Sequence, residues 1–130
     1  MGNKDKKIIL LVEDEQALQD ALKLKLEQKG VQVLTASTGE EALEVLKKTR
    51  PVLVSLDILL PKMNGLEVLK KIREDATLHD LPVVVVSVSG GQEKVRQAFS
   101  LGIADYLVKS EYKIDNIVRK IIEIIEKYQQ

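Results

Sequence analysis

Glu13, Asp14, Asp57, Ser87 and Lys109 each stand where a branched apolar run stops. The first two follow "IILLV", Asp57 follows "VLVSL", Ser87 follows "PVVVV" and Lys109 follows "DYLV". Three carboxylates gathered in one crevice repel, and at about 5 Å with an effective dielectric near 20 each ionised pair costs roughly 3 kcal/mol. Such a cluster needs a cation. Oxygen donors without His or Cys suit a hard ion, and a few carboxylates open to water suit Mg²⁺, which keeps several of its waters. A metal-bound carboxylate at Asp57 is then a candidate nucleophile toward a phosphoryl group, because that transfer depends on in-line positioning and on neutralising the phosphoryl oxygens. Mg²⁺ would take one of those oxygens, the Ser87 hydroxyl a second and the Lys109 ammonium a third.

These residues meet only if the runs that they end are strands lying side by side. Five branched-residue runs are predicted as strands: 8–12, 31–36, 52–57, 82–87 and 105–108. They alternate with stretches of helical period near 15–29, 39–49, 65–75, 92–101 and 112–128. That alternation is the pattern of an α/β domain on a doubly wound parallel sheet, in which ligands bind beyond the carboxyl ends of the strands. All five polar residues then share one edge. "IILLV" and "VVVV" are continuously apolar and read as central strands, whereas Val31 and Val33 alternate with polar residues and the fifth run is short. The second and fifth strands are therefore the predicted sheet edges. Thr38 with Glu41 and Ser89 with Gln92 match the capping box, and Asn64 with Glu67 imitates it. In the last helix Ile114, Ile117, Val118, Ile121, Ile122, Ile125 and Tyr128 form one apolar stripe toward the sheet.

Composition narrows the function classes. With 130 residues the chain reads as one domain at 7–130 behind a polar tail at 1–6, and no linker to a second domain is visible, so output is expected from this domain's own surface. Lys plus Arg and Asp plus Glu are matched at 20 each, which gives no overall field toward nucleic acid or an anionic membrane. The chain has no cysteine, hence no disulfide framework or thiolate chemistry, and no apolar run of membrane-span length. A cytoplasmic protein, monomeric or weakly dimeric, is the expectation.

The constellation resembles the receiver domain of bacterial two-component response regulators over essentially the whole chain. "LLVEDE" is similar to that family's first strand with its acidic pair, and "LDILLPKMNG" to its phosphoacceptor strand and loop. "PVVVVSVSG" is similar to its fourth strand with a switch hydroxyl, and "GIADYLVK" to its fifth strand with an aromatic switch residue and lysine. The resemblance implies a flavodoxin-like (βα)5 fold of strand order 2-1-3-4-5 in three layers. It makes Asp57 the phosphoacceptor, with Mg²⁺ held by Glu13, Asp14, Asp57 and the Leu59 backbone carbonyl. Ser87 and Tyr106 become the switch pair and Lys109 the cation that senses the phosphoryl group. It further implies a sensor histidine kinase or phosphotransfer protein as donor, and an output partner at the fourth helix, fifth strand and fifth helix. Such a domain is no enzyme in its own right, though it promotes its own aspartyl phosphorylation and dephosphorylation. Three positions depart from the family: Val88 for the usual Ala or Gly, Ser110 for the proline after the lysine, and Val52 where the phosphoacceptor strand usually has Asp after Pro. A cis bond before a non-proline residue costs roughly 2.5 to 4 kcal/mol, so Lys109–Ser110 is expected trans, with Ser110 free to help cap the fifth helix.

Plainer readings stand beside these. Taken singly, Asp57 is equally a helix cap or a solvated strand end, Lys109 a surface lysine and Tyr106 a packing residue; Ser89 is better an N-cap than a nucleophile. Asn64-Gly65 resembles a hairpin turn, but Leu66, Leu69 and Ile72 keep helical period after it. A serine hydrolase fails because the single histidine, His79, precedes the fourth strand and lies a strand's length from Ser87. A phosphatase of the haloacid-dehalogenase type shares an Asp nucleophile and Mg²⁺, yet its D-x-D is missing here. The alternatives that remain are a phosphorylation-independent interaction module on the same fold and a small Mg²⁺-dependent phosphohydrolase.

Overall fold

The computed structural model describes residues 6–88 and 91–128. Five strands and five helices alternate: β1 (Ile8–Val12), α1 (Gln16–Gln28), β2 (Gln32–Ala36), α2 (Gly39–Lys48), β3 (Leu53–Leu56), α3 (Gly65–Glu74), β4 (Val83–Ser87), α4 (Gly91–Ser100), β5 (Asp105–Val108) and α5 (Ile114–Tyr128). The strands pair in parallel in the order β2-β1-β3-β4-β5, so the two alternating or short runs are indeed the edges. Strand period sends successive residues to opposite faces. Leu10, Val12, Val54, Leu56, Val83 and Val85 pack with Ala42, Leu46, Val68, Leu69, Ile72 and Ala98 from α2, α3 and α4. Ile9, Leu11, Leu53, Val84, Val86 and Leu107 pack with Leu22, Leu26, Ile117, Val118, Ile121 and Ile125 from α1 and α5. The result is the expected three-layer, flavodoxin-like sandwich.

Element ends differ from the sequence reading for local reasons. β4 starts one residue later than expected because Pro82 has no N–H to give the ladder, although its carbonyl accepts from Val54 N–H at 2.9 Å. Thr38 caps α2 by accepting from Glu41 N–H at 3.1 Å, but the Glu41 carboxylate receives the N–H of Ser37, one residue outside the box. Asn64 and Glu67 make the full reciprocal box at the start of α3. Ser89, expected to cap α4, lies outside the described residues. No peptide bond among the described residues is cis, so Lys109–Ser110 is trans as expected. Ser110 does not cap α5, however. It lies in a 3-10 turn at Lys109–Glu111, closed by Tyr112 N–H on the Lys109 carbonyl, and that turn delays α5 to Ile114.

Two further features hold the frame. Arg73 near the end of α3 donates to the carbonyls of Leu101 (2.6 Å), Leu81 (2.8 Å), His79 (3.0 Å) and Gly102 (3.1 Å), tying the turns on either side of β4 and α4 together. At the amino ends of the strands Lys6, Lys7, Lys29, Ile125 and Glu126 line one recess, which brings the start of β1 beside the end of α5.

Candidate functional site

The carboxyl ends of β1 and β3 carry the acidic residues, and the first links that hold them are backbone ones. Asp57 N–H reaches the Val12 carbonyl at 3.1 Å and Glu13 N–H the Ala36 carbonyl at 3.0 Å, so each residue sits one step past its strand on a last rung of the ladder. Glu13 and Asp57 are buried and Asp14 is exposed; one carboxylate oxygen from each of the three lies within 4.8 Å of the others. The set fits a hard divalent ion such as Mg²⁺. It offers oxygen donors alone, and Asp14 is open to solvent where metal-bound waters can stay.

Lys109 reaches into this cluster from the end of β5. Its Nζ lies 2.9 Å from Glu13 Oε1 and 3.0 Å from Asp57 Oδ2. The other oxygen of each carboxylate takes a backbone donor: Glu15 N–H on Glu13 Oε2 at 3.1 Å, and Leu59 N–H on Asp57 Oδ1 at 2.9 Å. Burial pushes the Glu13 carboxyl above its usual range, which the Lys109 ammonium and the Glu15 N–H offset only in part. Burial lowers the Lys109 ammonium, but the two carboxylates outweigh it and leave the pKa above that of an ordinary lysine.

Ser87 is fully buried at the end of β4, and Tyr106 is half-buried on β5 against the core beneath α2, α3 and α4. Burial first and then the charge of Asp57 raise the Tyr106 phenol. Val88 follows Ser87 with 52% of its surface open, and Leu59 is also exposed. His79 is exposed at the opposite end of β4, where its carbonyl accepts from Arg73. The structure thus gathers the carboxylates of Glu13, Asp14 and Asp57 and sets Lys109 on Glu13 and Asp57, with Ser87 and Tyr106 on β4 and β5.

Two contributors escaped the sequence reading. A Cβ on Gly65 would collide with the Asp57 carbonyl oxygen and the Ile58 Cα, so α3 can begin against the Asp57–Ile58 peptide only with glycine there. Gly65 N–H reaches the Ile58 carbonyl at 3.0 Å. Gln19, on the inward face of α1, donates to the Glu13 carbonyl at 2.8 Å. The available signal was a polar residue on the helix stripe that also carries Leu22 and Leu26.

Comparison with known proteins gives concordant results. A family model described as the response regulator receiver domain matches residues 9–122. The transcriptional regulatory protein AfsQ1 of Streptomyces coelicolor is 37% identical over 101 residues, 78% of this chain and 44% of that protein. The crystal structure of the phosphorylated cyanobacterial phytochrome response regulator RcpA superposes with a TM-score of 0.82 at 31% identity, covering 96% of this chain and 95% of that one. The Mn²⁺-bound form of response regulator Rcp1 gives a TM-score of 0.77 at 31% identity, covering 88% and 91%. The chain spans about half the length of the curated relatives it matches.

Proposed function

The chain belongs to the response regulator receiver domain family, and from that premise we propose that it is a phosphoacceptor switch in which Asp57 takes a phosphoryl group from a histidine kinase or phosphotransfer protein. The observation that carries the reading is the Lys109 ammonium held between Glu13 and Asp57 inside the three-carboxylate cluster.

An Asp57 oxygen forms the new bond to phosphorus as the donor's bond breaks and its electron pair leaves with the donor. Lys109, already on Asp57 Oδ2, needs little movement to follow the charge onto a phosphoryl oxygen, and the Ser87 hydroxyl can take another. Glu13, Asp14, Asp57 and the Leu59 carbonyl would hold Mg²⁺, which when bound neutralises charge on the phosphoryl group. Lys109 cancels one of the three carboxylate charges, and a divalent ion balances the remainder. Two structural relatives are described as phosphorylated and as Mn²⁺-bound, which agrees with this use of the edge. The added charge on Asp57 draws Ser87 and Lys109 toward it and Tyr106 inward, biasing the surface of α4, β5 and α5 that a partner reads.

The test is intact mass after incubation with a small acyl phosphate and Mg²⁺. A gain of roughly 80 Da, one phosphoryl group, is expected for the wild type and lost in Asp57→Asn. Gain in the variant would move the nucleophile elsewhere. No gain in the wild type would favour the phosphorylation-independent interaction module.

A further inference from the structure

Glutamine is an unusual choice for a helix face that otherwise carries leucine. In α1 the buried residues are Gln19, Leu22 and Leu26, and Gln19 is 5% exposed. A buried amide destabilises unless its hydrogen bonds are made. Here they are made across the end of the sheet. Gln19 Nε2 donates to the Glu13 carbonyl at 2.8 Å and to Ser37 Oγ at 3.3 Å, with the Ala36 carbonyl at 3.5 Å, while Gln19 Oε1 accepts from Gln16 Nε2 at 3.2 Å. The last rung between β1 and β2 is Glu13 N–H to the Ala36 carbonyl. Beyond it the Glu13 carbonyl has no strand to pair with, and the Gln19 side chain takes the place of that missing strand.

The consequence runs through one peptide plane. The Glu13 carbonyl and the Asp14 nitrogen and Cα share that plane, so fixing the carbonyl fixes where the Asp14 side chain starts. Glu13 itself is held at its N–H by Ala36, at Oε1 by Lys109 and at Oε2 by Glu15. Asp14, exposed, depends on the backbone that Gln19 holds. We infer that Gln19 is a positioning residue of the metal site, acting through the Glu13 carbonyl to aim Asp14 into the cluster and so setting the affinity for the divalent cation. This rests on the reading of Glu13, Asp14 and Asp57 as the metal ligands. Groups that hydrogen-bond to metal ligands change affinity by about 10- to 100-fold when removed.

The test follows amide chemical shifts during Mg²⁺ titration of the whole chain, for wild type, Asp14→Ala, Gln19→Met and Leu26→Ala. Gln19→Met keeps the length of the side chain and deletes the donor. It should weaken Mg²⁺ binding about tenfold or more and move the Asp14 amide resonance in the metal-free protein, while core amides such as Leu69 and Ile117 stay in place. Leu26→Ala perturbs the same helix away from the cluster and should leave the affinity unchanged. Should Gln19→Met not fold, Gln19→Asn, whose shorter amide stops short of the Glu13 carbonyl, is judged by the same criteria. Equal affinity in wild type and Gln19→Met, or an equal loss in Leu26→Ala, overturns the role of Gln19 and leaves the metal site standing. A wild type whose Glu13, Asp14 and Asp57 amides ignore Mg²⁺, or whose response survives Asp14→Ala, overturns the metal site and the role of Gln19 with it.

Discussion

Removing the Lys109 ammonium would leave the carboxylates of Glu13 and Asp57, with side chains 2% and 3% exposed, facing one another without a counter-charge. Breaking a buried pair from one side costs about 3–5 kcal/mol, far more than an exposed pair such as Lys47 with Glu44 contributes. Lys109→Met should therefore lose stability of that order in urea unfolding with chelator present, and Mg²⁺ should restore part of it. An unchanged unfolding midpoint would show that the bridge does not hold in solution. The raised Glu13 pKa gives a second expectation at this scale. The folded chain binds that proton more tightly than the unfolded chain, so Glu13 contributes most to stability below the ordinary carboxylate value and less as the pH rises through its elevated one. In chelator, the stability of Glu13→Gln relative to wild type should accordingly increase as the pH rises from the ordinary carboxylate value through the elevated one. A flat or falling difference would mean that the carboxyl is not held above its usual range.

The helices around the sheet are held to very different degrees. α5 buries Ile117, Val118, Ile121 and Ile125, whereas Ala98 is the buried residue of α4, and Phe99 beside it is half exposed. Just past the last turn of α4, the Arg73 guanidinium donates to the carbonyls of Leu101 and Gly102. Local opening follows buried contact, so α4 amides should exchange with solvent at least about tenfold faster than those of the buried α5 turns. Hydrogen exchange read by NMR checks this, and equal protection would contradict it. A loosely held α4 beside a tightly held α5 agrees with the proposal that this surface shifts when Asp57 gains charge. The sequence revealed these elements unevenly. The acidic pair, Asp57 and Lys109 were legible because an apolar run that stops on a charged group marks a strand end, and parallel strands put such ends together. Gly65, Gln19 and Arg73 were not. Each is explained by a backbone group brought to it by the fold: the Asp57–Ile58 peptide, the Glu13 carbonyl, and the carbonyls of two turns. Ser110 misled, because whether a serine caps a helix depends on where the turn before it ends.

At the scale of the whole molecule, the parallel sheet sorts charge to one end: every strand finishes toward the acidic edge, and both helical layers are closed over apolar faces. A cation bound only by the folded edge stabilises the entire domain by mass action, by about 2.7 kcal/mol at a free concentration about a hundred times Kd. Thermal unfolding of the wild type should shift upward with Mg²⁺, and that of Asp14→Ala should not; parallel shifts in both would place the ion elsewhere. At the opposite end of the strands lies the recess where Lys6 and Lys7 meet Ile125 and Glu126. Because the start of β1 and the end of α5 are neighbours there, the covalent order of the elements is separable from their order in space. A circular permutant, with residue 6 joined to residue 128 through a short flexible linker and new ends opened in the exposed turn between Ala76 and Thr77, should fold to the same sheet. Its acidic edge, a full strand length from both the join and the cut, should show the same amide response to Mg²⁺ as the native chain.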